Sequence, residues 1–234
     1  MLVTCECGQP ETHRRESSLE VEQAFLVEND RHAAHNRGVF NRKHTRAFNF
    51  ISSPGAGKTT LLEKTLTALR GRKVGCAVIE GEQASDLDAQ RIARTGVPVF
   101  RVETGRACHL EAQKVQHALE HLEIPERGLL FIENVGNLIC PTAFKLGEHE
   151  RIALVSVSEG HDKPGKYPLA FRNATAVVIS KIDLLPHVDF DLVEARRLIA
   201  GLNPKAPIFE LSATGGDGMD EWLAWIEHKL PAEV

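Results

Sequence analysis

One stretch constrains the fold more than any other. At residues 48–62 an apolar run leads into a small-residue loop, which is followed at once by Gly-Lys-Thr and a leucine-bearing segment. This order predicts a β-strand, a phosphate-binding loop and an α-helix. Gly55 and Gly57 let the backbone curl so that successive N–H groups face one anion, and the helix N-terminus adds the positive end of its dipole. Lys58 can then reach the outer phosphates, and the Thr59 hydroxyl can bind magnesium.

The motif departs from its usual form, G-x-x-x-x-G-K-[ST], at one position, because Ser52 stands where the first glycine is usual. The strand and the helix stand where the motif requires them. We therefore interpret Ser52 as a tolerated variation, and not the whole segment as a glycine turn that happens to precede Lys-Thr. The residues predicted to bind the phosphates are Ser53, Pro54, Gly55, Ala56, Gly57, Lys58, Thr59 and Thr60.

Short apolar runs alternate with helical patterns on both sides of this motif. The runs cover residues 47–51, 74–79, 97–102, 129–132, 152–157, 175–179 and 208–211, and helical patterns cover 59–69, 86–94, 110–122, 190–202 and 217–229. Most runs are β-branched and unbroken, as expected of strands covered on both faces. The sequence therefore predicts an α/β fold with a doubly wound, mostly parallel sheet of about seven strands. In such a sheet, ligands bind beyond the carboxyl ends of the strands.

Length and composition fit this fold. The 234 residues suit one sizeable domain with an appendage, and we divide them into a mobile segment (1–16), a helical region (17–46, its helix at about 17–40) and a nucleotide-binding domain (47–230). A net charge of −4 argues against nucleic acid as the principal partner, and we interpret the basic stretch 31–46 as a solvated helix face. No apolar run approaches the roughly 20 residues that span a bilayer, and the start lacks a secretory pattern. We therefore expect a cytoplasmic protein with reduced cysteines.

Acidic residues follow the second and fourth predicted strands. Glu82, Asp86 and Asp88 come after the second strand, where acids lie near the phosphates and can hold magnesium or orient the attacking water; Asp86 can also be a helix N-cap. After the fourth strand, Glu133 stands three residues before Gly136. This spacing resembles the segment of nucleotide switches whose acid reaches magnesium through water and whose glycine N–H follows the γ-phosphate.

Two later loops predict which base is bound. The segment Ser180-Lys181-Ile182-Asp183 follows the sixth strand and resembles the guanine-selecting [NT]-K-x-D of GTPases. The carboxylate of Asp183 matches the paired donors on guanine N1 and N2, and the stem of Lys181 can lie along the base. Ser212 and Ala213 follow the seventh strand, where GTPases supply a backbone N–H to guanine O6. We therefore predict GTP in preference to ATP.

The cysteines and histidines leave several interpretations open. Cys108-His109 and Cys140 lie on loops that leave the same sheet edge, so they can meet on a zinc or nickel ion or be merely packed and capping residues. Cys5 and Cys7 are either soft-metal ligands or an accidental pair near the start. Cys76 lies within a strand and is predicted to be a core residue. His117 and His121, at i and i+4 of a predicted helix, can bind metal but are better explained as solvated.

Several of these segments together resemble one family. They are SPGAGKTT at 53–60, EGEQ at 80–83, CHLEAQ at 108–113, ENVGNLICP at 133–141 and DKPGKYP at 162–168. The chain is similar to HypB, the GTPases that help insert nickel during [NiFe]-hydrogenase maturation, and the resemblance covers residues 17–230. It implies a P-loop GTPase of the SIMIBI type, slow GTP hydrolysis with magnesium, and Cys108, His109 and Cys140 as ligands of nickel or zinc. Lys58, Thr59, Glu82, Asp86 and Glu133 are the predicted catalytic and magnesium-binding residues.

The same resemblance implies partners and raises alternatives. It implies a homodimer strengthened by GTP and metal, a HypA-type nickel chaperone and a hydrogenase large-subunit precursor as partners, and no membrane or nucleic acid. Cys5 and Cys7 match the last two cysteines of the C-x-x-C-x-C site of some members, but Leu2 stands in place of the first. Glu82 stands where the family usually has Asp. The alternatives are a urease-type accessory GTPase, disfavoured because that family carries Cys-Pro-His at its metal loop, and a nucleotide-gated zinc-binding module.

Overall fold

The computed structural model describes residues 12–82, 86–105 and 107–231. Its strands are β1 (Arg46–Ser52), β2 (Cys76–Glu82), β3 (Val99–Glu103), β4 (Leu129–Glu133), β5 (Glu150–Ser156), β6 (Ala176–Ser180) and β7 (Ile208–Leu211). The α-helices are α1 (Thr12–Arg42), α2 (Lys58–Gly71), α3 (Leu87–Arg94), α4 (Ala112–His121), α5 (Cys140–Ala143), α6 (Lys163–Lys166), α7 (Pro168–Arg172), α8 (Leu192–Leu202) and α9 (Met219–His228). A 3₁₀ helix covers Ile182–His187.

The seven strands form one sheet in the order β3-β2-β4-β1-β5-β6-β7. Every pairing between neighbouring strands is parallel, which confirms the predicted sheet. β1 lies in the middle, between β4 and β5. The chain passes from β1 to β2 and β3, returns to β4 beside β1, and then crosses to β5 and the other edge. The carboxyl ends of the central strands therefore meet where the phosphate loop leaves β1.

Both faces of the sheet are covered by apolar packing. On one face, Phe48 and Phe131 stack at 5.4 Å between ring centroids, and the fully buried Trp222 of α9 meets Phe50 at 6.1 Å. The Trp222 indole N–H donates to Thr65 Oγ1 of α2 at 2.9 Å, so its one polar atom is satisfied. This packing fixes α2, and with it the phosphate loop, against the sheet.

The N-terminal helix is an integral part of the other face. α1 begins at Thr12, earlier than the predicted helix, and buries Asn29 and Asn36. Asn36 Nδ2 donates to the carbonyls of Ala112 at 2.8 Å and Leu146 at 3.0 Å. Asn29 Oδ1 accepts from the Ala112 N–H at 2.8 Å. The sequence indicated only a loose apolar face because polar Asn29 and Asn36 are buried beside the apolar Ala33 and Phe40.

Two further predictions concern the cysteine pair near the start of the sequence and membrane-spanning segments. Cys5 and Cys7 lie outside the described residues, so the N-terminal metal-site prediction remains a prediction. Within the residues that the structure describes, no helix is both long and apolar enough to cross a membrane.

Candidate functional site

A cavity of about 430 Å³ opens at the carboxyl ends of the central strands. It is lined by residues of the phosphate loop and by the residues that follow β2 and β4. The described lining residues are Pro54, Gly55, Gly57, Lys58, Thr59, Thr60, Glu80, Gly81, Glu82, Asp88, Arg91, Glu133, Asn134, Val135, Gly136 and Lys181.

The phosphate loop has the geometry that its sequence predicts. Gly55 and Gly57 have φ values of 77° and 93°, a region that other residues rarely adopt. Lys58 Nζ donates to Ser52 Oγ at 3.0 Å, so the serine at the unusual position holds the lysine head. Burial lowers the Lys58 pKa, and the negative charge of Glu133 opposes that shift. The loop thus carries a buried cation aimed at the cavity.

Ser53 and Ala56, two predicted phosphate-loop contacts, have other described partners. Both residues are buried. Ser53 Oγ accepts from Lys163 Nζ at 3.1 Å, and the Ala56 carbonyl accepts from Ser180 Oγ at 2.7 Å. The Ser53 side chain and the Ala56 carbonyl thus anchor the loop to later segments, while their neighbours line the cavity.

Buried carboxylates face this cation. Thr59 Oγ1 donates to Glu133 Oε1 at 2.6 Å, and burial raises the Glu133 pKa to about 6. Glu80 is the register partner of Glu133 on β2, and burial together with the Glu133 charge raises its pKa to about 8. Among the described residues, Glu80 Oε2 and Glu133 Oε2 have no hydrogen-bond partner. Such an all-oxygen set with unsatisfied atoms fits Mg²⁺.

The acids after β2 divide between the cavity and the surface. Among the described lining residues, Glu82 and Asp88 are present and Asp86 is not. The exposed Asp86 stands at the N-cap position of α3, and its Oδ2 accepts from Gln90 Nε2 at 2.7 Å. Asp86 thus stands at the helix start, although its side chain makes no capping hydrogen bond, and its magnesium-binding and catalytic role stays a prediction. Asp88, in the first turn of the helix, lines the cavity together with the phosphate loop.

The segment after β4 presses directly on the phosphate loop. A Cβ added to Gly136 would lie 2.9 Å from Pro54 Cα, closer than real Cβ contacts, so only glycine allows this approach. The next residue, Asn137, forms a β-bridge with Ser52. The predicted switch segment is thus built into the wall of the phosphate site.

A second cavity, of about 200 Å³, adjoins the first and matches the predicted guanine subsite. Gly57, Thr60, Leu61, Ser180, Lys181, Asp183, Leu184, Leu211, Ala213 and Thr214 line it. Lys181 adopts a φ of 60°, and its Nζ donates to the Gly55 carbonyl at 2.7 Å. Ser212 is fully buried and its Oγ accepts from the Gly215 N–H at 2.9 Å, so it shapes the loop on which Ala213 faces the cavity.

The structure brings Cys108, His109 and Cys140 together. One ligand atom of each lies within 4.8 Å of the others. The Cys108 thiol, through hydrogen bonding, and burial raise the Cys140 pKa, while burial lowers the His109 pKa. The His109 ring stacks on Phe144 at 4.0 Å between centroids, and its buried Nε2 has no partner among the described residues. Two thiols and a neutral imidazole in this arrangement fit a zinc or nickel ion.

The loop with the Cys-His pair is bonded to the switch segment. Asn134, which follows Glu133, accepts the Leu110 N–H on its Oδ1 at 2.9 Å and donates from Nδ2 to Asn49 Oδ1 at 3.3 Å. Leu110 in turn packs over Gly81, where an added Cβ would lie 2.6 Å from its Cγ. The switch segment and the backbone beside His109 are therefore joined by a direct hydrogen bond.

Sequence reasoning missed several residues of the site. Glu80 is not among the predicted acids, although it ends an apolar run and precedes a glycine. Arg91 lines the cavity and donates to Thr60 Oγ1 at 3.0 Å, and Asn134 joins the two sites. In the sequence, Arg91 could have been recognised only by its i, i+3 spacing from Asp88 on one face of the helix. The prediction that Cys76 is a core residue is confirmed, since it is buried in β2.

Comparisons with known proteins agree with this geometry. Residues 47–210 match the family model described as the CobW/HypB/UreG nucleotide-binding domain. The hydrogenase maturation factor HypB of Azotobacter vinelandii is 51% identical over 211 residues, which cover 90% of this chain and 69% of the relative.

Two solved structures have the same fold. HypB of Archaeoglobus fulgidus superposes with a TM-score of 0.81 at 36% identity, over 88% of this chain and 100% of that one. HypB of Helicobacter pylori, solved in complex with nickel, superposes with a TM-score of 0.79 at 35% identity, over 88% of this chain and 99% of that one. The nucleotide cavity, the cysteine–histidine cluster and these similarities lead to one assignment: the chain belongs to the HypB family of hydrogenase maturation factors.

Proposed function

We propose that the chain is a GTP-hydrolysing nickel metallochaperone that assists nickel insertion into [NiFe]-hydrogenase during maturation. The observation that carries the proposal is the hydrogen bond from the Leu110 N–H to Asn134 Oδ1. It joins the loop of Cys108 and His109 to the segment that begins with Glu133. Metal and nucleotide are thereby held by connected parts of one structure, as a nucleotide-controlled metal carrier requires.

In this proposal the chain's own residues position and neutralise the triphosphate. The backbone N–H groups of the glycine loop and the Lys58 ammonium bind the β- and γ-phosphate oxygens, and Lys58 offsets the charge that develops as water displaces the γ-phosphate. Magnesium, when bound through the Thr59 hydroxyl and Glu133, supplies further charge neutralisation. Glu82 and Asp88 border the same space and can accept a hydrogen bond from the attacking water. The Gly136 N–H follows the γ-phosphate.

Guanine recognition belongs to the adjoining cavity. The Asp183 carboxylate accepts from guanine N1 and N2, donors that adenine does not offer as a pair. The Lys181 stem lies along the base and its ammonium closes the loop onto Gly55. Ala213 presents its backbone N–H to guanine O6. GTP and GDP are therefore the proposed nucleotides.

The cargo metal would be held by Cys108, His109 and Cys140. Both thiols lose a proton when they bind a metal, and the imidazole binds in its neutral form, so affinity rises with pH through the thiol range. The lowered His109 pKa favours the neutral ring. The HypB of Helicobacter pylori was solved in complex with nickel, and nickel is accordingly the proposed cargo of this chain, with zinc as a competitor.

We also propose that the chain acts as a homodimer strengthened by GTP and metal. Leu87 and Ile139 are apolar yet 66% and 64% exposed, and they stand beside the nucleotide acids and beside Cys140 respectively. A partner copy that covered them would bury apolar surface around both sites. A HypA-type nickel chaperone and the hydrogenase large-subunit precursor are the proposed further partners, and the cytoplasm is the proposed location.

Complementation of a strain that lacks its own hypB tests the proposal. The chain should restore hydrogenase activity in low-nickel medium, and excess nickel should partly replace it. Variants Cys108→Ala and Cys140→Ala should fail at low nickel, whereas the thiol control Cys76→Ala should succeed if it is produced at the same level. Full activity with the two cluster variants at low nickel would contradict a metal-delivery role.

A further inference from the structure

The exposed face of α4 carries a second group of metal-ligating side chains. His117, Glu120 and His121 are spaced i, i+3 and i+4, which places them on one helix face. One ligand atom of each lies within 4.8 Å of the others, and all three residues are exposed. His117 Nδ1 lies 3.5 Å from Glu120 Oε2. None of them takes part in the nucleotide cavities or in the cysteine–histidine cluster described above.

The two imidazoles are held by an aromatic neighbour on the edge strand β3. Phe100 stacks on the His121 ring at 5.7 Å between centroids with a 10° interplanar angle. The same phenyl ring meets His117 edge-on at 6.3 Å. The imidazole centroids are 4.7 Å apart. Phe100 therefore restricts the rotamers of both rings and keeps them together, which lowers the entropy cost of binding one ion.

The nearest cation on this helix face is directed elsewhere. Lys114 stands one turn before His117, but its Nζ donates to the carbonyls of Glu103 at 3.5 Å and Thr104 at 3.4 Å. Its ammonium is thereby tied to the end of β3 and its loop. Glu120 places a carboxylate between the two histidines in sequence and contributes negative charge to their face. The Glu120 carboxylate accordingly offers a bound cation a negative charge beside the two imidazoles.

We propose that His117, Glu120 and His121 form a second, exchangeable site for a borderline divalent ion such as Ni²⁺, Zn²⁺ or Cu²⁺. Two imidazole nitrogens and one carboxylate oxygen suit these ions, and water completes the coordination. The site lacks thiolates and lies in solvent, so it binds more weakly and releases metal faster than the cysteine cluster. It does not depend on the proposed GTPase activity, because it uses only α4 and β3.

The histidine site lies close to the cysteine cluster along the chain, which bears on how metal could reach that cluster. α4 begins at Ala112, directly after the loop of Cys108 and His109. From Ala112 to His117 the helix rises by about 7.5 Å. An ion captured from solvent by the histidines is therefore held one short helix segment from the cysteine cluster, on an outward face that a donor can reach.

Metal titration of a variant that lacks the candidate thiol ligands tests the proposal. In the full-length variant with Cys5, Cys7, Cys108 and Cys140 replaced by Ser, calorimetric titration with Ni²⁺ should find one equivalent. Adding His117→Asn and His121→Asn should weaken that binding at least tenfold, and Glu120→Gln should weaken it by less. The control His187→Asn removes an exposed histidine of the 3₁₀ helix and should change nothing. Circular dichroism of each variant confirms that it is folded.

Ring-proton NMR gives a second measurement in the wild-type chain. Once the thiol ligands are saturated with Zn²⁺, added Ni²⁺ should broaden the His117 and His121 signals before those of other exposed histidines. The proposal is overturned if the variant without Cys5, Cys7, Cys108 and Cys140 binds no Ni²⁺. It is equally overturned if the His117→Asn/His121→Asn variant keeps the full equivalent at unchanged affinity.

Discussion

Buried carboxylates at the two ends of the sheet have pKa values that are shifted in opposite directions. At the amino-terminal end, Glu148 accepts from Arg151 at 2.6 Å, and this ion pair holds its pKa below the usual value despite burial. Glu150 pairs with Arg46 and likewise has a lowered pKa. At the carboxyl end, burial raises the pKa of Glu80 to about 8 and of Glu133 to about 6.

The difference separates residues that hold the fold from residues held ready for a cation. A buried carboxylate with an arginine partner is ionised and hydrogen-bonded in the folded chain. Removing either partner leaves a buried charge uncompensated and destabilises the fold. Glu133 lies in the field of the buried Lys58 and of Arg91, and Glu80 in that of Arg101, but burial outweighs these charges and raises both pKa values. Their ionised forms are therefore costly until a further cation arrives. This difference explains why the carboxyl end fits magnesium and a phosphate chain, and substitutions at the two ends test it.

The largest effect is expected where an ion pair is broken. Glu148→Ala removes the partner of the nearly buried Arg151 and leaves its charge uncompensated, so the free energy of unfolding should fall by about 3–5 kcal/mol. Urea unfolding at neutral pH measures this change. Glu133→Gln, an equally buried site at the other end, should change the free energy of unfolding by less than about 1 kcal/mol. Equal losses at the two sites would remove the distinction between the ends.

The next effect concerns turnover. Lys58→Ala removes the cation that faces Glu133 and the phosphates, and GTP hydrolysis should fall at least about a hundredfold. Phosphate release under saturating GTP measures it. Lys64→Ala, an exposed lysine on the same helix, is the matched control and should hydrolyse GTP at the wild-type rate. A Lys58→Ala protein with normal turnover would show that the cavity is not the catalytic centre.

Nucleotide choice should change by a smaller amount. Asp183→Asn exchanges the acceptor of the guanine N1 and N2 donors for an amide, which should weaken GTP binding by about 1–3 kcal/mol and admit xanthosine triphosphate. Competition binding with both nucleotides measures this. Asp189→Asn, an exposed acid beyond the 3₁₀ helix, is the control. Equal affinity of the wild type for ATP and GTP would contradict the assignment of this cavity.

The smallest effect is a pH dependence of opposite sign at the two ends. Raised carboxyl pKa values mean that the folded chain binds more protons than the unfolded one, so Glu80 stabilises at low pH and loses this contribution as pH rises from about 4.5 to about 8. Glu148 and Glu150 do the reverse: their contribution is present above the unfolded pKa and is lost as pH falls through the lowered one.

Glu80→Gln should therefore unfold less readily than wild type at pH 8, by about 1–3 kcal/mol, and show no gain at pH 4. Denaturant unfolding without nucleotide or magnesium, over this pH range, measures it. A stability gain that is the same at both pH values would arise from packing and not from ionisation.

The structural features that depend on residues close together in the sequence could be predicted from it. The phosphate loop lies within residues 52–60, and its glycines and lysine determine its geometry without help from distant parts of the chain. Seven short, mostly apolar runs likewise indicated seven parallel strands, because strands covered on both faces leave that pattern. The positions of Lys181 and Asp183 followed from their place after β6.

What depends on packing between distant segments was not predictable. Asp86 and Asp88 are equally good candidates in sequence, and only the rotation of α3 places one in the cavity and the other on the surface. Glu80 and Glu133 become neighbours through strand register, which the sequence does not reveal. Asn134 looks like an ordinary polar loop residue until its bond to Leu110 is seen.

We expect metal binding and nucleotide binding to be coupled through the segment after β4, which Asn134 joins to the loop of Cys108 and His109. Nickel titration of the wild type, once with GDP and once with a non-hydrolysable GTP analogue, tests it most directly. We expect affinities that differ by about 5–150-fold, the usual range of coupling between two sites, and a difference that disappears in Asn134→Ala while both ligands still bind. Identical nickel affinity of the wild type in the two nucleotide states would contradict the account, even if Cys108, His109 and Cys140 are the ligands.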